Sequence, residues 1–572
     1  MNIVSNWNIS KVNTFWIVLS LCGLNLFVMH YTVLCNGHLE GEKNFTIFVD
    51  NLLGIIIDVT VLYLFLYLVT WKRLKTGLTI TYFVTTLWSF SNVLYSRFFH
   101  HYISLSAIGM GGTLFDSDIM RCVMDGLRWT DLFYVLSTSL FIFLMMKVQP
   151  IKRPIAKLLI SLMTMLGIDI LSYIVFCSLT PEHRYVSFFI HRIEHRQLST
   201  YLHMFDPNNA VFRRGCLRSL LNEAVLDYNN TIELTEEQKR QIEKEIEVGK
   251  NSISKERYRI AKENVIFILV ESYLSFTSDM KVDGREVTPY LNSLKRDSTV
   301  FYNGKMRENV TIGESSDGQF IYMTGLLPLR SVITISKARH VTLNGLPKML
   351  GRESRMVIPT VISMWNQDEM CRQYGFEHLY ESNDYAEGKY NSLNDEQVFR
   401  LAMQKDKESH RPFFSVILTM SMHQPYTKQI DLTFPVKDSS IPEDLACYLN
   451  ACHYTDRQIE KYFEHLKHTG LYDNSIIVIA ADHPVHNTDF GGVNKDIPLY
   501  LVNVPRDIKE NMWQGECNQI DVYTTLLDLL GIESDWYGLG HSLLSPTYQS
   551  SIETEKWNVS EWIIRGDYFS NH

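Results

Sequence analysis

The sequence lacks the features of three common classes of protein. Its formal net charge is −9, with 54 Lys and Arg residues against 63 Asp and Glu residues, so it has no basic excess of the kind that nucleic-acid-binding proteins carry. Its nine cysteines form no CxxC pair and no Cys/His metal spacing, which excludes a thiolate metal site. There is also no internal repeat or low-complexity tract, which excludes repeat architectures.

Long apolar runs dominate the first 180 residues, whereas the rest of the chain has the pattern of a soluble α/β protein. Five segments are long and apolar enough to cross a bilayer as helices, which takes about 20 residues each. They are residues 12–34, 46–70, 77–96, 129–146 and 155–178. The first is too long for a cleavable signal, and no small-residue cleavage site follows it. We therefore predict a multi-span α-helical membrane domain.

Basic residues in the short loops predict how this domain is oriented. They are concentrated after the second span and after the fourth span, at Lys72, Arg73, Lys75, Lys147, Lys152 and Arg153. Because basic loops remain in the cytoplasm, the N-terminus should be inside. An odd number of spans should then place everything after residue 180 outside.

Polar groups occur inside the predicted spans and in the stretch that follows them. Asp58 and Asp169 fall near the middle of spans, where a carboxyl group is costly. Each is either hydrogen-bonded or protonated inside the bundle, or takes part in proton or substrate handling. Residues 181–262 include the charged run LTEEQKRQIEKEIEVGK, which is typical of a solvated helix, and we predict a polar helical connector there.

Short apolar runs alternate with helix-like stretches from residue 264 onward. The runs are NVIFILVES, RMVIPTVI, FFSVILTMS, NSIIVIAADH and IPLYLVNVP, which predict a parallel or mixed sheet packed between helices. Active residues collect beyond the C-terminal ends of such strands, where this sequence has Glu271, His423 and the pair Asp482–His483. One of these alone is more often a cap or loop acceptor, but together they suit Mn²⁺ or Zn²⁺.

The stretch RENVTIGESSDGQFIYMTGLL, residues 307–327, offers a nucleophile for such a cation to activate. Gly313 allows a tight turn, Ser315 and Ser316 supply hydroxyls, and the apolar run after Asp317 predicts a helix. A serine at a helix N-terminus can direct its oxygen at a metal while backbone N–H groups hold a phosphate. The same pattern also occurs wherever Ser or Asp simply caps a helix.

The segments ILVES, GESSDGQF, WNQDEM, SVILTMSMHQPY and AADHP, in this order, resemble the lipoteichoic acid synthase-like family of the alkaline phosphatase/sulfatase superfamily. Five spans followed by an outer enzyme are similar to that family's layout. The resemblance implies a membrane domain at 1–180, the connector at 181–262 and an extracytoplasmic, alkaline phosphatase-like (sulfatase-like) α/β domain at 263–572. It also implies the bacterial cytoplasmic membrane as the location.

The resemblance further implies a role for each matching residue. The metal ligands would be Glu271, Ser315, Asp482 and His483. The substrate-binding residues would be His423, Trp365 and Gln367. Ser315 would also be the nucleophile, because it occupies the place of the family's threonine. The implied activity is metal-dependent transfer of a phospho-headgroup, phosphoglycerol foremost, from a membrane phospholipid to a glycan or glycolipid acceptor of the cell envelope through a covalent Ser315 intermediate.

Departures from the family pattern bear on the substrate more than on the reaction class. Ser315 keeps a hydroxyl, but Glu314 replaces a lysine, and Gln367 lies where the glycerol-phosphate enzymes tend to carry the donor fork of an arginine. A phosphoethanolamine transferase is therefore an alternative. His486 could be an additional ligand in that case or a surface-loop histidine, and the same choice applies to His541.

Two further alternatives are disfavoured. A sulfatase-like hydrolase needs a Cys/Ser-x-Pro-x-Arg motif, and this chain has SSDGQ in that place. A membrane sensor or scaffold would need neither a metal nor Ser315. The sequence leaves the donor, the acceptor, the metal and the oligomeric state open.

Overall fold

The computed structural model divides the chain into two compact units, Met1–Tyr228 and Asn229–His572. The structure describes residues 13–36, 45–71, 73–99, 101–109, 124, 126–147, 156, 159–160, 163–164, 207–228, 232–254, 260–362, 366–385, 392–409, 411–424, 426, 434–438, 440–485, 490, 492–550 and 552–571. The predicted domain boundaries after residues 180 and 262 remain predictions.

The first unit is helical. Its helices are α1 (Asn13–Asn36), α2 (Phe45–Val69), α3 (Leu74–Phe99), α4 (Leu105–Gly109), α5 (Leu132–Lys147), α6 (Pro207–Arg214) and α7 (Cys216–Tyr228), and the 3-10 turn Trp129–Asp131 leads into α5. Among the described residues, three stretches are long and apolar enough to cross a membrane: Phe15–Cys35, Asn51–Val69 and Trp129–Met146. They correspond to the first, second and fourth predicted spans.

The third predicted span has the length of a membrane helix, but it is less apolar than its neighbours α1 and α2. Small polar side chains line its buried side at Thr81, Thr85, Ser89, Asn92 and Ser96. Some of them bond to the helix's own carbonyls, as the Thr81 hydroxyl does to Gly77 O at 2.8 Å. Most of the fifth predicted span, 155–178, including Asp169, lies outside the described residues.

Side-chain hydrogen bonds join three helices of this unit. Asn25 on α1 donates to Thr86 on α3 at 2.8 Å and accepts from Ser137 on α5 at 2.8 Å. Tyr82 on α3 lies 2.9 Å from the same Ser137 hydroxyl. Buried polar contacts of this kind tie apolar helices together where packing between them has little hydrophobic driving force.

The second unit is built on a mixed sheet. Its strands are β1 (Asn264–Val270), β2 (Lys281–Val282), β3 (Arg285–Glu286), β4 (Val300–Arg307), β5 (Glu353–Val357), β6 (His378–Tyr380), β7 (Phe413–Leu418), β8 (Ser475–Ala481), β9 (Ile497–Val502) and β10 (Cys517–Asn518). Eight of them form one sheet in the order β10-β4-β9-β8-β1-β7-β5-β6, while β2 and β3 pair separately. Central β1 is parallel to β7 and β8, whereas β9 is antiparallel to β4 and β8. The predicted mixed sheet is confirmed.

Helices accompany the sheet along the chain. They are α8 (Glu236–Asn251), α9 (Pro289–Lys295), α10 (Ser315–Thr324), α11 (Ile335–Ala338), α12 (Leu346–Leu350), α13 (Gln367–Tyr374), α14 (Asp395–Glu408), α15 (Glu443–His468), α16 (Arg506–Asn511), α17 (Asp521–Leu529) and α18 (Thr554–Arg565), with 3-10 turns at Ser275–Thr277, Ser382–Asp384 and Tyr568–Asn571. The helix predicted after Asp317 is therefore α10, which already begins at Ser315.

The five apolar runs correspond to β1, β5, β7, β8 and β9. Every residue of β1 and of β8 is buried, as expected for central strands that are covered on both faces. The sequence analysis predicts no strand at β4, β6 or β10. Polar residues interrupt β4 (VFYNGKMR), and β6 and β10 are only 3 and 2 residues long.

The register of the central strands positions their C-terminal ends. Val270 of β1 pairs with Ala481 of β8, so the next residues, Glu271 and Asp482, leave the sheet side by side. Leu269 pairs with Leu418 of β7, so the segment that leads to His423 starts at the same edge.

Candidate active site

Glu271, Asp482 and His483 lie together where β1 and β8 end, and we name these three residues the ligand cluster. All three are buried, and their ligand atoms lie within 4.8 Å of one another. His483 Nε2 is 3.5 Å from Glu271 Oε1 and 3.7 Å from Asp482 Oδ2. The structure therefore brings together the three strand-end residues that the sequence analysis groups as metal ligands.

Local hydrogen bonds orient these three side chains. Asp482 Oδ1 accepts from the backbone N–H groups of Ser272 at 2.9 Å and His483 at 2.8 Å, and the Ser272 hydroxyl donates to Glu271 Oε1 at 2.7 Å. His483 Nδ1 is 2.7 Å from the Pro484 carbonyl oxygen. Because that oxygen can only accept, Nδ1 carries a proton, and in the neutral ring Nε2 offers a lone pair.

Ser315 completes the arrangement from the N-terminus of α10. Its Oγ is 3.0 Å from His483 Nε2 and 3.3 Å from Glu271 Oε2. The helix reaches the strand end because Gly318 has no side chain, and a Cβ there would collide with the carbonyl oxygen of Asp482. Four residues predicted as metal ligands thus face one point.

Negative charge is in excess around the ligand cluster. Burial, and then the neighbouring Glu271 carboxylate, raises the pKa of Asp482. Burial disfavours the charged imidazole of His483, but Asp482, Glu271 and Glu314 outweigh it and raise its pKa to about 10. Glu314 Oε2 lies 3.8 Å from His483 Nδ1. A cation at this point would offset this repulsion.

The predicted substrate-binding residues are placed differently from one another. His423 is exposed, with Nδ1 2.8 Å from the Gln424 carbonyl oxygen. Burial opposes ionisation of Glu271, but the charges of His483 and then His423 lower the pKa of that carboxyl. Gln367 is buried and exchanges two amide hydrogen bonds of 3.2 Å with Gln319, one turn after Ser315 on α10.

Three other histidine and tryptophan predictions lie away from the ligand cluster or beyond the described residues. Trp365 and His486 lie outside the described residues. His541 is in contact with Lys556, whose Nζ is 2.6 Å from His541 Nε2. The choice between an additional ligand and a surface-loop histidine stays a prediction for His541, which is half-buried.

Sequence reasoning missed several groups that hold the ligand cluster in place. The Glu271 N–H donates to Thr419 Oγ1 at 3.0 Å, across a separation of 148 residues. Gln519 Nε2 donates to the Asp482 carbonyl oxygen at 2.6 Å, across 37 residues. No local spacing in the sequence marks such partners. Asp317, in contrast, lies two residues after Ser315 inside a motif that the sequence analysis already names.

Known proteins match both halves of the chain. The lipoteichoic acid synthase N-terminal domain matches residues 1–233, and the sulfatase domain matches residues 263–532. Lipoteichoic acid synthase 2 of Bacillus subtilis (strain 168) is 28% identical over 516 residues, which cover 84% of this chain and 76% of that protein. Lipoteichoic acid synthase of Staphylococcus aureus (strain NCTC 8325 / PS 47) is 24% identical over 524 residues, which cover 86% and 78%.

The two halves of the chain are thus similar to lipoteichoic acid synthases and to the sulfatase superfamily. The predicted resemblance to the lipoteichoic acid synthase-like family is confirmed. A solved structure with the same fold is the integral membrane protein lipooligosaccharide phosphoethanolamine transferase A from Neisseria meningitidis. Its TM-score is 0.51 at 12% identity, and the match covers 93% of this chain and 98% of that chain.

The sulfatase-type fold of this family implies a divalent metal, and the residues present fit one. Two buried carboxylates and an imidazole nitrogen with a lone pair form an oxygen and nitrogen donor set, which suits Mn²⁺ or Zn²⁺ better than a soft metal. The surplus of negative charge in the ligand cluster also favours the binding of a cation. The family and the three apolar helices also indicate a membrane-anchored protein.

Proposed function

We propose that this protein transfers a phosphoglycerol headgroup from a membrane phospholipid to a glycan or glycolipid acceptor. The proposed location is the bacterial cytoplasmic membrane, with several spans and the second unit outside. The observation that carries the proposal is the position of Ser315 Oγ, 3.0 Å from His483 Nε2 and 3.3 Å from Glu271 Oε2, at the N-terminus of a helix. The names of the relatives, lipoteichoic acid synthases, support the choice of headgroup.

Each residue of the site has a defined part in this proposal. Glu271, Asp482 and His483, with Ser315, would hold a Mn²⁺ or Zn²⁺ ion. When bound, such an ion lowers the pKa of a hydroxyl and offsets charge on a phosphoryl group. The positive end of the α10 dipole favours an anion at the same place.

The reaction proceeds in two displacements at phosphorus. In the first, Ser315 Oγ loses its proton and forms a bond to the lipid phosphorus, while the bond from phosphorus to the diacylglycerol oxygen breaks and that oxygen takes up a proton. In the second, an acceptor hydroxyl loses its proton and forms the new bond to phosphorus, while the bond from phosphorus to Ser315 Oγ breaks and Oγ takes up a proton. His423, at the same sheet edge, contributes charge stabilisation at the phosphoryl oxygens.

A phosphoethanolamine donor is the second candidate, and two observations favour it. Glu314 places a carboxylate 3.8 Å from His483 Nδ1, where it suits a headgroup with an ammonium group better than an uncharged glycerol. Gln367 is bonded to Gln319, so it does not offer the free donor fork of an arginine. The residues that we propose for the headgroup site with either donor are His423, Gln367 and Trp365.

The experiment compares full-length wild-type protein with Ser315→Ala and Ser315→Thr on vesicles that contain phosphatidylglycerol or phosphatidylethanolamine. Diacylglycerol release with each lipid in the presence of Mn²⁺ is the measurement. Loss of the nucleophile should reduce turnover at least about 10³-fold, whereas Ser315→Thr keeps the hydroxyl and should retain most of it. Both variants should still show thermal stabilisation by Mn²⁺, weaker in Ser315→Ala, because the three residues of the ligand cluster remain when the Ser315 hydroxyl is lost.

The outcomes separate reaction class from substrate. Undiminished turnover in Ser315→Ala would reject the covalent mechanism. Release from phosphatidylethanolamine alone would keep the mechanism and replace phosphoglycerol with phosphoethanolamine as the transferred group.

A further inference from the structure

Asp317 is a buried carboxylate that reaches back from α10 to the turn in front of Ser315. Its Oδ2 accepts from the backbone N–H groups of Thr311 and Gly313, both at 3.0 Å, and from the Thr311 hydroxyl at 2.7 Å. Its Oδ1 accepts from the Thr334 hydroxyl at 2.7 Å. One side chain thus joins the turn, the helix and the segment that leads into α11.

The turn that Asp317 holds is conformationally strained. Glu314, immediately before Ser315, has φ 46° and ψ −119°, a conformation that residues with a side chain rarely adopt because it is strained. Such a conformation persists only where the surroundings over-determine it. The hydrogen bonds from Thr311 and Gly313 to Asp317 lie directly in front of it in the chain.

The packing around the turn is tight at two glycines, one on each side of Ser315. A Cβ at Gly313 would collide with the Asp317 carboxylate, and a Cβ at Gly318 would collide with the Asp482 carbonyl oxygen. Ser316 closes the turn, because its N–H bonds to Gly313 O at 3.0 Å and its hydroxyl bonds to the same oxygen at 2.7 Å. The start of α10 is therefore fixed on one side by Asp317 and on the other by the end of β8.

We propose that Asp317 is the positioning residue of this active site, whose hydrogen bonds to the turn 311–313 hold Ser315 Oγ against the ligand cluster. The inference rests on the proposed function, since it requires Ser315 to be the nucleophile. Asp317 itself contacts neither the ligand cluster nor the reacting atoms by any hydrogen bond seen among the described residues, so its effect passes through Ser315.

Misplacing a nucleophile by about 1 Å can cost about 10²-fold in rate, and this sets the expected effect. Asp317→Ala should lower kcat about 10²-fold with KM for the lipid nearly unchanged, because substrate-binding groups remain in place. Thr311→Val removes one donor and should lower kcat about tenfold, while Thr311→Ser keeps the hydroxyl and should restore most of it. Thermal stabilisation by Mn²⁺ should persist in all three, since the ligand cluster is intact.

The matched control is Asp456→Ala in the same unit. Asp456 is also buried and accepts two backbone N–H bonds, from Tyr290 at 3.0 Å and Leu291 at 2.8 Å, but it holds the N-terminus of α9. It should lose thermal stability without a comparable loss of kcat. The measurements are diacylglycerol release by the full-length proteins, thermal unfolding, and the Mn²⁺-dependent shift of the unfolding temperature.

The kcat values of these variants test the positioning role of Asp317 separately from the proposed role of Ser315 as the nucleophile. If Ser315→Ala is inactive but Asp317→Ala folds and has the same kcat as Asp456→Ala, the positioning role of Asp317 is overturned and the proposed function stands. Equal kcat values for Thr311→Val and Thr311→Ser also overturn it, even if Asp317→Ala does not fold. An active Ser315→Ala overturns the proposed function and this inference with it.

Discussion

The two carboxylates of the ligand cluster should favour the binding of a cation, but their mutual repulsion should lower the stability of the cation-free fold. Glu271 and Asp482 are both buried, with ligand atoms within 4.8 Å of each other and of His483 Nε2. Removing one partner of a favourable buried pair is destabilising, but removing one of two repelling carboxylates relieves the fold. The two effects of substitution at Asp482 therefore have opposite signs.

Asp482→Asn is the substitution that separates these effects, since an amide oxygen can still accept from Ser272 N and His483 N. We expect it to unfold at a higher temperature than wild type in chelator and to lose the stabilisation that Mn²⁺ or Zn²⁺ gives wild type. That stabilisation reaches about 2.7 kcal/mol at a cation concentration 100 times the Kd. Thermal unfolding with EDTA and with added cation is the measurement.

Asp456→Asn serves as the comparison for a buried aspartate away from the ligand cluster. It should keep the wild-type cation response. If Asp482→Asn keeps that response too, Asp482 is not a ligand. If it is instead less stable than wild type in chelator, repulsion between the carboxylates does not govern the cluster.

At the scale of elements, α7 begins against a carboxylate that lies within α2, one of the helices long and apolar enough to cross a membrane. Asp58 Oδ2 accepts from Cys216 N at 2.6 Å, and Asp58 Oδ1 accepts from Leu217 N at 3.3 Å. A carboxylate at a helix N-terminus satisfies free N–H groups and interacts favourably with the helix dipole. The structure thus supports the hydrogen-bonded alternative for Asp58, and α7, within the predicted connector, belongs to the first unit.

Gly215 makes this contact possible. Its φ is +88°, and a Cβ would lie 2.6 Å from Asp58 Oδ2. Gly215→Ala should therefore cost more than the roughly 1–2 kcal/mol of a left-handed alanine alone, because it also pushes the carboxylate away from α7. The measurement is the fraction of full-length protein that stays folded and monodisperse in detergent during a temperature ramp.

Gly470→Ala measures the cost of a left-handed alanine without any steric contact. Gly470 has φ +76° with no atom within 4 Å of a Cβ. Equal losses in the two variants would mean that the contact between Asp58 and α7 adds nothing to stability.

At the scale of the whole molecule, a buried ion pair bears on the predicted orientation of the first unit, and two exposed tryptophans bear on where its predicted spans end. Arg97, on the side predicted to be outside, pairs with Asp131 at 2.6 Å with both side chains nearly buried, so it adds little net positive charge there. Exposed Trp71 lies two residues after α2, and exposed Trp129 lies three residues before α5. Aromatic residues at the ends of membrane spans commonly occupy such positions at the two membrane surfaces. The loop around Arg73 therefore keeps the excess of positive charge on which the prediction of a cytoplasmic side depends.

Single cysteines report this orientation directly. A membrane-impermeant maleimide should label Glu464→Cys in intact cells, because residue 464 is exposed on the second unit. It should label Thr76→Cys, exposed beside the basic loop, only after permeabilisation. The wild-type chain gives the background from native cysteines. The reverse pattern would place the second unit in the cytoplasm and contradict the proposed location.

The sequence by itself determined the local features of this protein. Apolar length marked α1, α2 and the stretch that ends in α5, and continuous Val/Ile/Leu runs marked β1, β7 and β8, because hydropathy and periodicity are properties of neighbouring residues. Once the strands were predicted, Glu271 and Asp482–His483 could be placed at their C-terminal ends. The order of the motifs then indicated the resemblance to the family. Strand β4 was missed because its polar residues hide the pattern.

Only the tertiary structure decided which distant residues meet. The register of Val270 with Ala481 places Glu271 beside Asp482, and the missing side chain of Gly318 lets Ser315 reach them. Asp58 likewise accepts a hydrogen bond from the backbone N–H of Cys216, which is 158 residues further along the chain. Such contacts depend on strand register, close backbone approach and burial across the fold, and these are set by packing between elements rather than by the residues within one of them.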